Sequence, residues 1–287
     1  MMRAGMSRYL EVDGVQLHIY EWGDAAKPAV LCWHGLTRNG RDFDTLAARL
    51  AKSFHVICPD MIGRGRSEWS ADPAKDYCFG RYERLVAALV DALGIEEMRW
   101  VGTSMGGAIG IRLAGSILRN RITHLVLNDI GAGPAEKQPN GELAEGVQRI
   151  LAYTANPPEF RTMTELMDYY RSTYRDFGIN SEEEWLHFTE TSARRKDNGK
   201  FTPDYDPQIV HQFAHPEDLL LWEQWNAVKA KVLLIRGERS DILPVETAEA
   251  MRKSGPGCQL VTIPGLGHAP ALNTEEQLTC IERFLNS

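Results

Sequence analysis

Trp100-Val101-Gly102-Thr103-Ser104-Met105-Gly106-Gly107-Ala108 decides how the rest of the chain is read. The residues from Met98 to Gly102 form a short apolar run suited to a buried strand, and Ala108-Ile109-Gly110-Ile111-Arg112-Leu113-Ala114 suits a buried helix. Between them stands Gly-x-Ser-x-Gly. A serine on so sharp a turn is held in a strained backbone with its hydroxyl exposed at the sheet edge. Gly102 and Gly106 leave strand and helix free to approach. The Met105 N–H, in the first turn of the helix, would face any oxyanion formed beside Ser104, with the helix dipole behind it. A plainer reading of Gly106, Gly107 and Gly110 is close helix packing.

Upstream, Tyr9-Leu10-Glu11-Val12 and Val15-Gln16-Leu17-His18-Ile19-Tyr20 flank Asp13-Gly14, which predicts an antiparallel hairpin. Ala29-Val30-Leu31-Cys32-Trp33 and Phe54-His55-Val56-Ile57-Cys58 are apolar without alternation, as strands buried on both faces are. Helices are expected at Asp42 to Ala51 and at Gly80 to Leu93, the second closed by Gly94. Asp60-Met61-Ile62-Gly63-Arg64-Gly65-Arg66-Ser67 lacks the spacing of a phosphate cradle and reads as a structural loop.

Downstream, Ile122 to Asp129 reads as the sixth strand. From about Ile130 to Ala227 no strand pattern is visible; helix-like stretches run from Gly141 to Thr154, Thr164 to Arg175 and Glu182 to Ala193, with proline breakers between them. Val232 to Arg236 and Gln259 to Ile263 resume the strand pattern, with helices at Val245 to Lys253 and Thr274 to Leu285. The expected organisation is an α/β core of residues 1–130 and 228–287, with a helical cap of residues 131–227 inserted after the sixth strand. Trp185, Phe188, Trp222 and Trp225 are candidate pocket walls, or equally the cap's own packing.

The 287 residues carry a net charge of −7, which disfavours a nucleic-acid partner, and no apolar run is long enough to span a bilayer. Arg194-Arg195-Lys196 reads as a solvated helix end. No secretory signal is visible at the start, so the expected location is cytoplasmic. The five cysteines are expected to be reduced, with Cys32 and Cys58 acting as small buried apolar groups. His211 and His215 have a metal-ligand spacing but no carboxylate in a supporting pattern, and are read as structural. No metal site, cofactor or membrane contact is expected.

With Gly-Thr-Ser-Met-Gly at the turn, His34-Gly35 after the third strand and a late Gly265-Leu266-Gly267-His268, the sequence resembles the α/β-hydrolase family over nearly its whole length. The resemblance implies a mostly parallel eight-stranded sheet flanked by helices. It also implies Ser104 as nucleophile, His268 as base, and the N–H groups of Leu36 and Met105 as the oxyanion hole, with the His34 side chain structural. For the acid two carboxylates stand open. Asp241, in Arg236-Gly237-Glu238-Arg239-Ser240-Asp241-Ile242-Leu243-Pro244, matches the family's acid loop after the seventh sheet strand; Asp129 ends the sixth, and Glu238 is a weaker third. The match favours Asp241.

Ser at the nucleophile position disfavours dehalogenases and epoxide hydrolases, which use Asp there. Carbon–carbon bond hydrolases of aromatic catabolism commonly place Trp after the base, where this chain has Ala269-Pro270. The expectation is a serine hydrolase that cleaves a small or medium carboxylic ester or lactone, hydroxyacid oligomers among them, through an acyl-enzyme on Ser104. The alternatives are a carbon–carbon bond hydrolase and a non-hydrolytic ligand-binding member of the fold.

Overall fold

A computed structural model of the chain describes residues 5–133 and 145–287. Strands β1 (Met6–Val12) and β2 (Val15–Trp22) form the expected hairpin; Asp13 and Gly14 both have positive φ, as a two-residue turn of matching twist requires. There follow β3 (Ala29–Trp33), α1 (Asp44–Leu50), β4 (His55–Pro59), a short α2 (Pro73–Asp76), α3 (Phe79–Ala92), β5 (Met98–Thr103), α4 (Met105–Ala114) and β6 (Ile122–Asn128). Gly94 closes α3 in a left-handed conformation, with the Ile95 N–H donating to the Val90 carbonyl.

The next segment carries α5 (Glu145–Thr154), α6 (Met163–Thr173) and α7 (Glu182–Thr191), then β7 (Ala193–Arg195), β8 (Phe201–Pro203) and α8 (Trp222–Ala227). Its expected first helix begins at Gly141, and residues 141–144 lie outside the described residues. Capping boxes at Thr162 with Glu165 and Ser181 with Glu184 set the starts of α6 and α7. The antiparallel pair β7–β8 corrects the expectation of no strand here, and it places Arg194 and Arg195 in a strand instead of a helix end. Arg194 lies over the Trp69 ring and Arg195 over that of Phe201. The core then resumes with β9 (Lys231–Gly237), α9 (Val245–Arg252), β10 (Gln259–Ile263) and α10 (Glu275–Leu285).

The main sheet has eight strands in the order β1-β2-β4-β3-β5-β6-β9-β10, antiparallel at β1–β2 and β2–β4 and parallel elsewhere. Helices α1 and α10 cover one face through Leu46, Leu50, Ile281 and Phe284, while α3, α4 and α9 cover the other through Leu85, Leu89, Ile109 and Met251. The strand order reverses at β3, whose neighbours are β4 on one side and β5 on the other. In a parallel sheet such a reversal opens a crevice beyond the strands' C-terminal ends. The loops after β3 and β5, carrying His34-Gly35-Leu36 and Ser104, therefore meet there. Among the described residues no helix is long and apolar enough to cross a membrane.

Candidate active site

Ser104 stands between β5 and α4 with φ +50°, a conformation costly for a residue with a Cβ. The neighbouring glycines explain how it is held. A Cβ on Gly106 would lie 2.1 Å from the Trp33 carbonyl oxygen, and one on Gly102 would lie 2.4 Å from that of Gly106. Trp100 passes beneath the helix and donates its ring N–H to the Gly106 carbonyl at 3.0 Å, and a Cβ on Gly110 would strike that same ring. The glycines thus serve both the turn and the helix packing. Met105 is the first residue of α4, so its N–H lacks an intrahelical acceptor by position.

His268, in the loop after β10, brings Nε2 to 2.9 Å from the Ser104 hydroxyl. Its Nδ1 lies 2.7 Å from a carboxylate oxygen of Asp129, not Asp241. Asp129 is fully buried beyond the end of β6. Its Oδ1 accepts the Gly237 N–H at 2.7 Å and its Oδ2 also accepts the Ser240 hydroxyl. The loop expected to supply the acid supplies donors to another acid instead. Past Ser240 the backbone turns toward α5, where Asp241 forms a half-exposed ion pair with Arg149 at 2.8 Å. Glu238 accepts the Gly265 N–H at the surface.

Leu36 lies on the turn facing Ser104: a Cβ on the preceding Gly35 would sit 3.8 Å from the Ser104 Cβ. The His34 ring is buried, accepts the Met61 N–H at Nε2 (3.0 Å) and donates from Nδ1 to the Gly35 carbonyl (2.7 Å). Burial lowers its pKa to about 4, which keeps the ring neutral. Arg64, fully buried in what read as a structural loop, donates from Nε to the Leu36 carbonyl at 2.9 Å and reaches the Met105 sulfur at 3.5 Å. It braces both residues of the expected oxyanion hole, and nothing in its local sequence signals that.

A second Ser–His–Asp array joins Ser7, His18 and Asp60, with 2.5 and 2.9 Å contacts. Ser7 lies within the extended edge strand β1 and begins no helix, while Asp60 also binds the Gly40 and Arg66 N–H groups. That array ties a loop to the sheet. Only at Ser104 does the relay coincide with a strained turn and a helix N-terminus.

A cavity of about 40 Å³ stands over Ser104, lined by Leu36, Arg38, Arg149, Tyr153, Tyr174 and His268 among others. It shares Asp42, Thr103, Phe177 and Ala269 with a groove of about 390 Å³ that runs between α7 and the 269–273 loop. Phe188 lines that groove. The other expected wall residues are placed elsewhere: Trp185 packs with Leu166 and Tyr170, while Trp222 and the fully buried Trp225 join the sheet core. Tyr174 lines the cavity over Ser104, and its hydroxyl meets that of Thr37 at 3.1 Å. Arg38, which no local sequence pattern marks, stacks its guanidinium 3.6 Å from the Phe188 ring centre and grips Asp42 through Nε and Nη2. Among the described residues no group of three or more His, Cys, Asp or Glu side chains has the geometry to hold a metal ion.

A family model described as the alpha/beta hydrolase fold matches residues 28–273. The chain is 36% identical to a 3-hydroxybutyrate-oligomer hydrolase of Cupriavidus necator, covering 98% of this chain and 97% of that one. It is 26% identical to a 2-hydroxymuconate semialdehyde hydrolase of Pseudomonas putida, over 83% of this chain and 79% of the relative. Among solved structures, an alpha/beta hydrolase from Novosphingobium aromaticivorans superposes with a TM-score of 0.86 at 35% identity, covering 100% of this chain and 99% of the other. Sheet, elbow and family model agree: the chain belongs to the α/β-hydrolase fold family and is a hydrolase of that fold.

Proposed function

We propose that the protein hydrolyses carboxylic esters of small or medium acids, hydroxyacid oligomers in particular, through an acyl-enzyme on Ser104. The observation that carries this reading is the unbroken relay from Ser104 through His268 to Asp129 at 2.9 and 2.7 Å. His268 takes the serine proton as Oγ attacks the carbonyl carbon, and Asp129 holds the Nδ1–H tautomer and stabilises the imidazolium. The N–H groups of Leu36 and Met105 receive the oxyanion. Collapse of that intermediate expels the alcohol with the proton from His268, and a water activated by the same ring releases the acid. The described part of the segment after β6, residues 145–227, acts as a cap over the cleft. Similarity to the 3-hydroxybutyrate-oligomer hydrolase of Cupriavidus necator supports an oligomeric hydroxyacid ester as substrate.

Similarity to the semialdehyde hydrolase supports carbon–carbon bond cleavage as a second reading. One panel separates the two. The purified protein is assayed on p-nitrophenyl esters, 3-hydroxybutyrate oligomers and vinylogous diketones, and intact mass is measured after treatment with a fluorophosphonate. Ester turnover with a single adduct on Ser104 is expected, and Ser104→Ala should lower turnover by at least about three orders of magnitude with the fold intact. Turnover of the diketones alone would transfer the assignment to the second reading. No adduct and no turnover would leave a ligand-binding role.

A further inference from the structure

Resting on the ester-hydrolase reading, we infer that Arg38 recognises the acyl part of the substrate, its Nη1 donating to an uncharged hydroxyl or ester oxygen close to the scissile carbonyl. Arg38 is only 4% exposed and lines the cavity over Ser104. Two of its three nitrogens, Nε and Nη2, are taken up by Asp42. The third, Nη1, is buried and has no hydrogen-bond partner among the described residues. A buried charged group's N–H without a partner is costly, so on a residue that lines a substrate cavity it is the donor that the substrate completes.

Position and charge narrow what completes it. A Cβ on Gly35 would lie 3.8 Å from the Arg38 Cγ and 3.8 Å from the Ser104 Cβ, so the roots of the two side chains both border Gly35, and both residues line the same cavity. The acceptor therefore belongs near the reacting carbonyl and not at the far end of a long chain. Each basic residue lining the cavity has its own carboxylate: Arg38 has Asp42, Arg149 has Asp241 and His268 has Asp129. A cavity balanced in this way holds no spare positive charge to repay the dehydration of an anion. A neutral oxygen satisfies Nη1 without that cost, and the ester of a hydroxyacid carries one.

Four ethyl esters test this by kcat/KM: butanoate, 3-hydroxybutanoate, 3-methylbutanoate and monoethyl succinate. The 3-methyl ester has nearly the shape of the 3-hydroxy ester but no oxygen. The 3-hydroxy ester is expected to exceed it by about 10- to 100-fold, the loss typical of one unpaired buried donor, with the succinate no better than the 3-hydroxy ester. In Arg38→Met combined with Asp42→Asn, which removes both charges together, that ratio should fall toward one. Being a ratio, it does not depend on the fraction of active protein. The wild-type comparison stands without any variant, and near-ultraviolet circular dichroism identifies a folded one. Equal rates for the 3-hydroxy and 3-methyl esters, or a ratio that persists in the folded variant, overturn the inference while ester hydrolysis stands. A preference for the succinate overturns the uncharged-oxygen claim. Hydrolysis of none of the four, with no fluorophosphonate adduct, overturns both.

Discussion

Asp129 and Asp241 follow adjacent parallel strands, β6 and β9, so both emerge on the same edge of the sheet. What separates them is direction. Asp129 has φ +58° and turns its carboxylate inward, where the Gly237 N–H and the Ser240 hydroxyl converge on it and His268 completes the set. Asp241 lies one residue past Ser240 and faces solvent and Arg149. Asp129→Asn is accordingly expected to lower ester kcat/KM by about 10⁴, since an amide favours the wrong imidazole tautomer. Asp241→Asn loses an exposed ion pair worth at most about 1 kcal/mol and should stay within about threefold of wild type. Steady-state kinetics on a p-nitrophenyl ester of the two purified variants, with melting curves to confirm folding, checks the pair; the reverse ranking would restore Asp241.

At the scale of elements, the hairpin β7–β8 went unread because three-residue strands are too short to show alternation. It has an energetic signature of its own. Asp204, just past β8, has its pKa raised to about 6, first by burial and then by the charge of Asp60, against the opposing pull of Arg194 and Arg66. The folded state thus holds this proton more tightly than the unfolded chain does. The resulting stability is present in full below about pH 4 and is lost as the pH rises through 6. Asp204→Asn, which carries no charge to desolvate, should therefore be more stable than wild type at pH 8, by on the order of 3 kcal/mol, and should match it near pH 4. Thermal melts of both proteins across that range measure it. A gain of the same size at both pH values would trace the effect to something other than ionisation.

Across the whole molecule, the loop that carries His268 is tied to the segment between α6 and α7 and to the first turn of α7. The Gly267 N–H donates to the Asp176 carbonyl at 2.9 Å, the Ala271 N–H to that of Phe177 at 2.8 Å, and the Asn273 amide to Glu184 at 2.8 Å. This segment therefore holds the loop that carries His268 as well as walling the groove. Gly178, at the centre of this tie, has φ +86°, and a Cβ there would lie 2.9 Å from Leu266. Gly178→Ala should cost about 1–2 kcal/mol of stability and lower kcat more than it raises KM, because the base's loop is loosened. Differential scanning calorimetry together with Michaelis kinetics follows both effects. A lowered Tm with kcat untouched would show that the tie is structural alone.

The elbow, its glycines and the strand–helix alternation were legible from residues alone, because each is a local pattern: a period, a turn residue or a spacing set within a few positions; His268 was singled out by the resemblance to the family. The same resemblance, laid over the strand pattern, placed both candidate carboxylates after strands at the correct edge of the sheet. Which carboxylate meets the imidazole, which aromatic lines the groove and which arginine is left with an unpaired nitrogen were decided only by tertiary structure. Asp129 is selected by donors from a loop more than a hundred residues away, Phe188 by Arg38, and Arg38 by the two nitrogens that Asp42 occupies. A sequence period specifies the face on which a side chain lies, whereas the partner of a buried polar atom depends on which distant backbone arrives beside it.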